Sequence, residues 1–162
     1  MSMSAPPGFA WAKLVPELLV TDLAVSLHFW RDLCGFSVAY ERPEDGFAYL
    51  DRDGVQVMLE EAFRPGRRWI TAPLEAPFGR GINLQIKVAS LVLVLDALGA
   101  AAWPLYLAPE QKWYRAGAEE AGVRQFLVLD PDGYLLRFQE SLGLRQACSP
   151  AAQPLDQAHW KL

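Results

Sequence analysis

The feature that most constrains the fold is an internal repeat, in which two segments match each other at a fixed offset of 79 residues. Residues 47–54 (FAYLDRDG) align with residues 126–133 (FLVLDPDG), so that Phe, Leu, both Asp and Gly coincide. A second run of β-forming residues follows each segment, at residues 55–61 and 134–140. Two such runs that are joined by an Asp-x-Asp-Gly turn are typical of a β-hairpin. The chain is therefore predicted to contain the same hairpin twice.

A strand and then a helical pattern precede each hairpin. Favourable N-cap residues open both helical patterns, and a glycine follows each of them. A further β-forming run lies between the helix and the hairpin, so each half reads strand, helix, three strands. The additional predicted elements are strands at residues 13–20, 36–41, 82–88 and 104–107, and helices from Leu23 to Leu33 and from Leu91 to Leu98.

The repeat predicts two half-domains, at about residues 13–61 and 81–140, within a single domain of residues 13–143. A length of 162 residues suits one compact domain of this kind. The connection between the halves is rich in Pro, Gly and Arg. Residues 1–12 and 144–162 show no periodicity and are expected to be flexible ends.

An insertion at residues 108–122 distinguishes the second half from the first. Because the matching connection in the first half is far shorter, we predict that these residues form a loop that covers a ligand. The insertion carries Trp113 and Tyr114. Their rings would either stack on a ligand or pack within the loop.

Charge and composition exclude several classes of protein. The balance of 19 acidic against 15 basic residues disfavours nucleic acid as a partner and would suit a cationic ligand. No apolar run is long enough to span a membrane and no secretory signal is present, so a cytoplasmic protein is expected. Cys34 and Cys148 stand apart, which argues against a disulfide framework or a thiolate zinc site. The two histidines, His28 on a helix and His159 in the tail, suit no nucleophile system.

Four of the predicted strands have one apolar face and one mixed face. Residues 82–88, for example, place Ile82, Leu84 and Ile86 on one face and Asn83 and Gln85 on the other. The mixed faces are either solvated or form the wall of a cavity. Apolar walls with a few polar groups favour the cavity. The mixed faces comprise Val15, Glu17, Leu19, Met58, Glu60, Asn83, Gln85, Leu135, Arg137 and Gln139.

Three stretches resemble the glyoxalase/bleomycin resistance protein/dioxygenase family, also called the vicinal oxygen chelate superfamily. They are LLVTDL at residues 18–23 with SLHFWRDLCGF at 26–36, PFGRGIN at 77–83, and RQFLVLDPDGYLLRF at 124–138. The resemblance covers residues 13–143. It implies an α+β fold in which two tandem βαβββ half-domains form a cup-shaped mixed sheet with the helices on the outside. It does not define a reaction, because the family contains both enzymes and metal-free binding proteins.

The resemblance also locates four metal-ligand positions, which metal-dependent members commonly fill with two His and two Glu. In this chain they hold Val15, either Met58 or Glu60, Asn83 and Arg137. Val cannot bind a metal, and Arg brings a fixed positive charge that opposes a divalent cation. We therefore predict no metal site and no cofactor.

Among metal-free members, the last strand is most similar to that of the bleomycin resistance proteins. This implies a homodimeric binding protein that sequesters a cationic, aromatic antibiotic or related metabolite in a cleft between two chains, with no bond made or broken. The alternative is a glyoxalase-like lyase or isomerase, or a dioxygenase, with an atypical site around Glu60; Glu17 would then be a lone general base of raised pKa.

Candidate binding residues follow from the mixed faces and from the aromatic groups near them, and no residue is assigned a catalytic role. Glu60 could be an anionic group of the cleft or the partner of Arg137 in a structural ion pair. Trp69 could line a cleft or simply pack. The candidate ligand-binding residues are Glu17, Tyr49, Met58, Glu60, Trp69, Asn83, Gln85, Trp113, Tyr114 and Arg137.

Overall fold

The computed structural model describes residues 8–147 of the chain, which form two consecutive βαβββ units. The strands and helices are β1 (Glu17–Val20), α1 (Leu23–Leu27), β2 (Ser37–Arg42), β3 (Phe47–Arg52), β4 (Val55–Glu61), β5 (Asn83–Lys87), α2 (Val92–Ala100), β6 (Leu105–Ala116), β7 (Glu119–Leu129) and β8 (Leu135–Gln146). Helix α1 continues directly as a π-helical segment, His28–Leu33, and a short 3-10 turn, Pro43–Asp45, precedes β3.

Each half contributes one four-stranded mixed sheet, with the strand orders β1-β4-β3-β2 and β5-β8-β7-β6. The first and last strands of each unit pair in parallel, and the remaining pairs are antiparallel. The predicted α+β class and the two tandem half-domains are therefore confirmed. None of the helices formed by residues 8–147 is long and apolar enough to cross a membrane.

One hydrophobic core unites the two halves, because the apolar faces of both sheets and both helices pack into it. Phe29 and Trp30 from the first half are fully buried in this core, as are Phe126 and Phe138 from the second, whose rings stack at 5.4 Å between centroids. Cys34 is buried in the same core. Cys148 and His159 lie outside the described residues.

The second Asp-x-Asp-Gly turn joins the halves through three hydrogen bonds. Trp30 Nε1 donates to Asp130 Oδ2 at 3.2 Å, and the Thr21 amide donates to the Asp132 carboxylate at 3.1 Å. Tyr134 Oη donates to the Leu19 carbonyl at 3.0 Å. Since all three cross between the repeats, this turn fixes how the second half sits against β1 and α1.

The connection between the halves packs on the same turn. The Phe78 amide donates to the Asp132 carbonyl at 2.8 Å. Gly133 has a φ of +88°, and a Cβ at this position would lie 2.9 Å from Pro77 Cα. Only glycine meets both conditions without strain. The PFGRG stretch is therefore a packing element that holds the turn.

The repeat also supplies matched helix caps. Glu61 Oε1 accepts a hydrogen bond from the Leu23 amide at 3.2 Å, and Glu140 Oε2 accepts one from the Leu91 amide at 2.8 Å. The two glutamates are the final residue of the matching strand segments, 79 residues apart. Each satisfies an amide that the start of a helix would otherwise leave unpaired.

The two hairpins close differently, although their sequences match. In the first, Arg52 pairs with Val55 across a two-residue turn. In the second, pairing stops at Leu129 and Leu135, and five residues form the loop. Pro131 stands where the first hairpin has Arg52, and proline has no amide to continue the ladder. The expectation of the same hairpin twice is therefore correct for the strands and wrong for the turn.

The expected ligand-covering loop at residues 108–122 is wrong, because these residues lie in strands β6 and β7 with Gly117 and Ala118 at the turn. Trp113 pairs with Gly122, where a Cβ would lie 2.6 Å from the indole ring. The sequence of β6 shows little alternation of apolar and polar residues, because most of the side chains of this strand are exposed. Residues 144–146, expected to belong to a flexible end, extend β8.

Burial of Asp130 predicts a pH-dependent stability. Burial raises the pKa of this carboxyl to about 6 from its ordinary 3.8, against the effect of its hydrogen bonds. The folded protein therefore binds a proton at Asp130 more tightly than the unfolded chain does. As a result, the contribution of Asp130 to the free energy of unfolding decreases as pH rises from about 4 through 6. The change amounts to about 3 kcal/mol.

Asp130→Asn removes the titration. It also leaves one oxygen where two accept, Oδ2 from Trp30 and Oδ1 from the Asp132 and Tyr134 amides, so the variant is expected to be less stable than the wild type by an amount that does not itself depend on pH. The free energy of unfolding of the variant, minus that of the wild type, is expected to increase by about 3 kcal/mol from pH 4 to pH 7.5. Urea unfolding at both pH values measures this difference. A difference between the two proteins that stays constant with pH would contradict the burial of an ionisable Asp130.

Candidate functional site

The predicted binding residues lie on two separate surfaces, one on each sheet, opposite the core. The open face of the first half consists of Glu17, Leu19, Tyr40, Phe47, Tyr49, Met58 and Glu60. The open face of the second half consists of Asn83, Gln85, Lys87, Gln125, Leu127, Leu135, Arg137 and Gln139. Within the described part of the chain, no hydrogen bond or ion pair joins these two residue sets. The structure thus brings four candidates together on the first open face, and it places three others on the second. The four are Glu17, Tyr49, Met58 and Glu60, and the three are Asn83, Gln85 and Arg137.

A small acidic cavity lies at the edge of the first open face. Its volume is about 210 Å³, and it is lined by Glu17, Leu19, Glu60 and Trp69. Strand β1 supplies Glu17 and Leu19, and β4 supplies Glu60 directly opposite Leu19 in the parallel register. The connection after β4 brings Trp69 over these strands. Three predicted candidates therefore line one cavity.

Glu60 forms an ion pair with Arg68, so of its two expected roles, an anionic group of the cleft or the partner of Arg137, the pair with Arg137 is wrong. Arg68 Nη1 lies 3.2 Å from Glu60 Oε1, and both side chains are about nine-tenths buried. Arg68 also donates to the backbone carbonyls of Glu61 and Asp45. The sequence patterns did not predict a role for Arg68, because it lies in an irregular connection where no periodicity shows which way a side chain points. Its proximity in sequence to Glu60 was the only available cue.

Glu17 is the carboxylate of the cavity that forms no direct ion pair among the described residues. Burial raises the pKa of its carboxyl, and the nearby Glu60 raises it further, while Arg42 and Arg68 act in the opposite direction. A carboxyl group beside a second carboxyl group keeps its proton to higher pH, because two negative charges at neighbouring positions repel each other. Because Arg68 neutralises Glu60, a cation that enters the cavity would be attracted mainly by Glu17.

The aromatic wall of the cavity, Trp69, is largely exposed and already contacts a cation. The guanidinium of Arg67 lies 3.9 Å from its ring centroid. The indole therefore already stacks with a positive group of the chain itself, and a ligand cation would have to displace Arg67 or use the opposite face of the ring.

The chain covers part of the first open face with its own N-terminal segment. Gln56 Nε2 donates to the Ala10 carbonyl at 2.7 Å, and its Oε1 accepts from the Ala12 amide at 2.8 Å. Phe9 and Trp11 make edge-on contacts with the ring of Tyr49 at 6.0 and 5.1 Å. Tyr49 is consequently buried, and a ligand can reach it only if this segment moves. Residues 9–12 are thus packed against the sheet, in contrast to the expected flexible end.

Trp113 and Tyr114 lie on the outer hairpin formed by β6 and β7. The guanidinium of Arg145 stacks 4.0 Å from the Trp113 ring, and Tyr114 Oη accepts a hydrogen bond from Gln125 Nε2 at 2.9 Å. These contacts are with the second half. Neither ring lines the acidic cavity.

A second cavity, of about 260 Å³, lies where the halves meet. Trp30 and Phe36 contribute apolar surface to it, and Gln56, Asn83 and Gln85 contribute amides. None of the described residues that line it has a charged side chain.

The positions that carry metal ligands in metal-dependent relatives do not fit a metal here. In the strand pairing Met58 lies opposite Glu17, as Arg137 lies opposite Gln85, which makes Met58 the counterpart of Arg137. Valine, methionine and arginine offer no suitable donor. Among residues 8–147, no three His, Cys, Asp or Glu side chains are grouped so that they could hold a metal ion.

The amide of Gln56 is expected to hold the N-terminal segment in place. Gln56→Ala removes both hydrogen bonds to that segment and should cost about 1–3 kcal/mol of stability. The direct readout is hydrogen exchange at the Ala12 amide, which should become much faster in the variant. Gln111→Ala, at an exposed amide on β6, is the matched control. Unchanged protection of Ala12 would contradict the assignment.

Comparison with known proteins places the chain by sequence and by fold. No family model matches the chain, and no curated protein matches it. A solved structure from Vibrio splendidus 12B01, described as a glyoxalase/bleomycin resistance protein/dioxygenase superfamily member, is 41% identical. The match covers 78% of this chain and 95% of that one, with a TM-score of 0.36.

Two solved structures of lower identity show the same fold. TioX from Micromonospora sp. ML1 is 22% identical, with a TM-score of 0.63 over 81% of this chain and 99% of that one. A virulence protein from Salmonella typhimurium is 16% identical, with a TM-score of 0.60 over 82% and 98%. The 41% identity to the Vibrio protein carries the family assignment. The chain belongs to the glyoxalase/bleomycin resistance protein/dioxygenase superfamily.

Proposed function

We propose that the protein is a metal-free binding protein of the bleomycin-resistance type, which sequesters a cationic aromatic antibiotic or a related metabolite. The observation that supports this proposal is the acidic cavity with an aromatic wall, formed by Glu17, Glu60 and Trp69. A carboxylate beside an exposed indole is the arrangement that attracts an organic cation. No bond is made or broken in such a function, and none of the residues at the cavity needs a catalytic partner.

The size of the cavity limits what it can hold. Sites for whole drug-sized ligands usually measure about 300–1,000 Å³. A volume of about 210 Å³ suits one cationic group of a larger molecule. The rest of the ligand would then extend over the open face, where Met58 and the aromatic residues lie.

We further propose that two copies of the chain complete the binding cleft. In a single chain the open faces of the two sheets do not contact each other, and each has a free edge strand. The second half also exposes large apolar side chains, including Tyr106, Leu107 and Leu144. If the open face of the first half of one copy packed against the second half of another copy, these surfaces would be covered and the two faces would enclose a cup-shaped cleft.

The assembly has a direct test. Light scattering coupled to size-exclusion chromatography should give a mass twice the 18.1 kDa of the chain. A monomer at micromolar concentrations would contradict the shared cleft, while the proposed cation site in each chain would remain to be tested separately.

Glu17 is the residue to change in a binding test, because it is not part of the buried ion pair. Calorimetric titration of the wild-type protein with metal-free bleomycin should show stoichiometric binding. Glu17→Gln should weaken it by about 1 kcal/mol, roughly fivefold. The control is Glu75→Gln, an exposed carboxylate on the connection, which should bind like the wild type. Absence of binding at high micromolar concentration would exclude a bleomycin-class ligand.

The same titration predicts a pH dependence. Because the pKa of Glu17 is raised, its charge is lost at a higher pH than that of an ordinary glutamate as the solution becomes more acidic. The affinity of the wild-type protein for a cation should therefore decrease as pH falls towards 5, and that of Glu17→Gln should change less. Parallel pH profiles for the two proteins would contradict the role of Glu17.

The paired carboxyl groups also support one alternative, a lyase or isomerase of the same superfamily. Glu17, with its raised pKa, could accept a proton from a carbon acid bound beside Trp69, with Glu60 nearby. The test is isomerisation of the hemithioacetal of methylglyoxal and glutathione, followed by absorbance. Turnover by the wild-type protein that Glu17→Gln abolishes would favour this alternative over sequestration.

A further inference from the structure

Arg137 is a half-buried cation on the second open face without a counter-charge. Its side chain points away from the core from the middle of β8, between Gln85 on β5 and Leu127 on β7. One guanidinium nitrogen donates to Gln85 Oε1. Arg137 Nε is buried and has no hydrogen-bond partner among the described residues. Most of the donors of this guanidinium are therefore unused by residues 8–147.

Two other arginines on the same sheet are neutralised. Arg124 lies 3.4 Å from Glu140, and Arg145 lies 2.7 Å from Glu120. No carboxylate of the described chain lies within ion-pair distance of Arg137. Arg115 also forms no ion pair among these residues, but it is exposed, so Arg137 differs from it in combining a missing counter-charge with a buried, unpartnered Nε.

The surroundings of Arg137 add positive charge. Lys87 stands two residues along β5 from Gln85, on the same face and in the neighbouring row. Glu110 is an acidic side chain of this face, but it lies on β6, beyond β7, and accepts a hydrogen bond from Gln125 Nε2 at 2.8 Å. By register Lys112 on β6 shares the face, and Glu119 lies on it at the far end of β7. Asn83, Gln85 and Gln139 are neutral amides. The face therefore carries three cations, Lys87, Lys112 and Arg137, and two carboxylates, of which Glu110 is already hydrogen-bonded.

A carboxylate is the group that best completes this arrangement. The guanidinium fork matches the two oxygens of a carboxylate in a planar, bidentate geometry. Partial burial strengthens such a contact relative to one in bulk water. On the adjacent strand, the amide oxygen of the buried Gln125 is also without a donor. An anionic ligand that carries an N–H or O–H group would suit both.

We propose that the open face of the second half is an anion-binding site, in which Arg137, supported by Gln85 and Lys87, binds a carboxylate of the ligand. This site is distinct from the acidic cavity of the first half, and it does not depend on the proposed function. If both sites face one cleft, the natural ligand carries a cationic and an anionic group at separate places.

The test uses sodium benzoate as the probe on the full chain at constant ionic strength, followed by calorimetry and by chemical shifts of the Gln85 and Arg137 side chains. Benzoate should bind with a dissociation constant in the millimolar range, and benzamide and benzylammonium, which lack the anion, should not shift these signals. Arg137→Gln should weaken benzoate binding at least tenfold. Arg137→Lys should restore it only in part, because lysine lacks the fork.

Arg115→Gln is the matched control, since Arg115 is an exposed arginine of the same sheet that also has no carboxylate partner. It should bind benzoate like the wild type. Lys87→Gln, at an exposed position, should weaken binding by a smaller factor and covers the case in which Arg137→Gln does not fold. Glu17→Gln should leave benzoate binding intact, which separates this site from the proposed cation site.

Three results would overturn the proposal: no benzoate binding, equal binding of benzamide, or unchanged affinity in a folded Arg137→Gln variant. Neutralisation of Arg137 by a carboxylate of a second copy would give the first result together with a dimeric mass. Failure of the bleomycin titration with successful benzoate binding would refute the proposed function and leave the anion site standing.

Discussion

The packing of the first helix into the second half is the constraint on which the rest of the structure depends. Phe29 and Trp30 are fully buried there, and the indole Nε1 donates to Asp130 in the turn of the second repeat. An apolar cluster alone would not fix an angle between two sheets. The directional hydrogen bonds from Trp30 to Asp130, from Thr21 to Asp132 and from Tyr134 to Leu19 add that constraint. Strand alternation then turns both open faces away from the shared core.

Duplication explains why the chain has two similar surfaces, and divergence explains why they differ in chemistry. Matching strands place a side chain of each half at equivalent points, so that Glu17 and Met58 in the first half correspond to Gln85 and Arg137 in the second. The first face is therefore acidic and aromatic, and the second is basic and rich in amides. A scaffold that needs only apolar residues on its core face leaves the opposite face free to change.

Regular elements could be predicted well, and irregular ones could not. The alternation of residues 82–88 and the cap at Asp22 act over a few residues, so local sequence contains them. The cap predicted at Ser90 is wrong, because α2 begins one residue later and Glu140 binds the Leu91 amide. Arg68 reaches Glu60 from a connection without periodicity, and residues 9–12 are held by Gln56 from more than forty residues away. Strand β6 is supported mainly by pairing with β7, because neither of its faces is well buried.

By itself, the sequence determined the duplicated βαβββ architecture, the apolar face of each strand and the polar residues available on the other face. Period-two alternation and turn chemistry are local properties, and they repeat at an offset of 79 residues. Only the tertiary structure decided which of those polar groups meet. Ion pairs form between side chains that the folded backbone brings within about 4 Å, so Glu60 pairs with Arg68, whereas Arg137 has no carboxylate partner within residues 8–147.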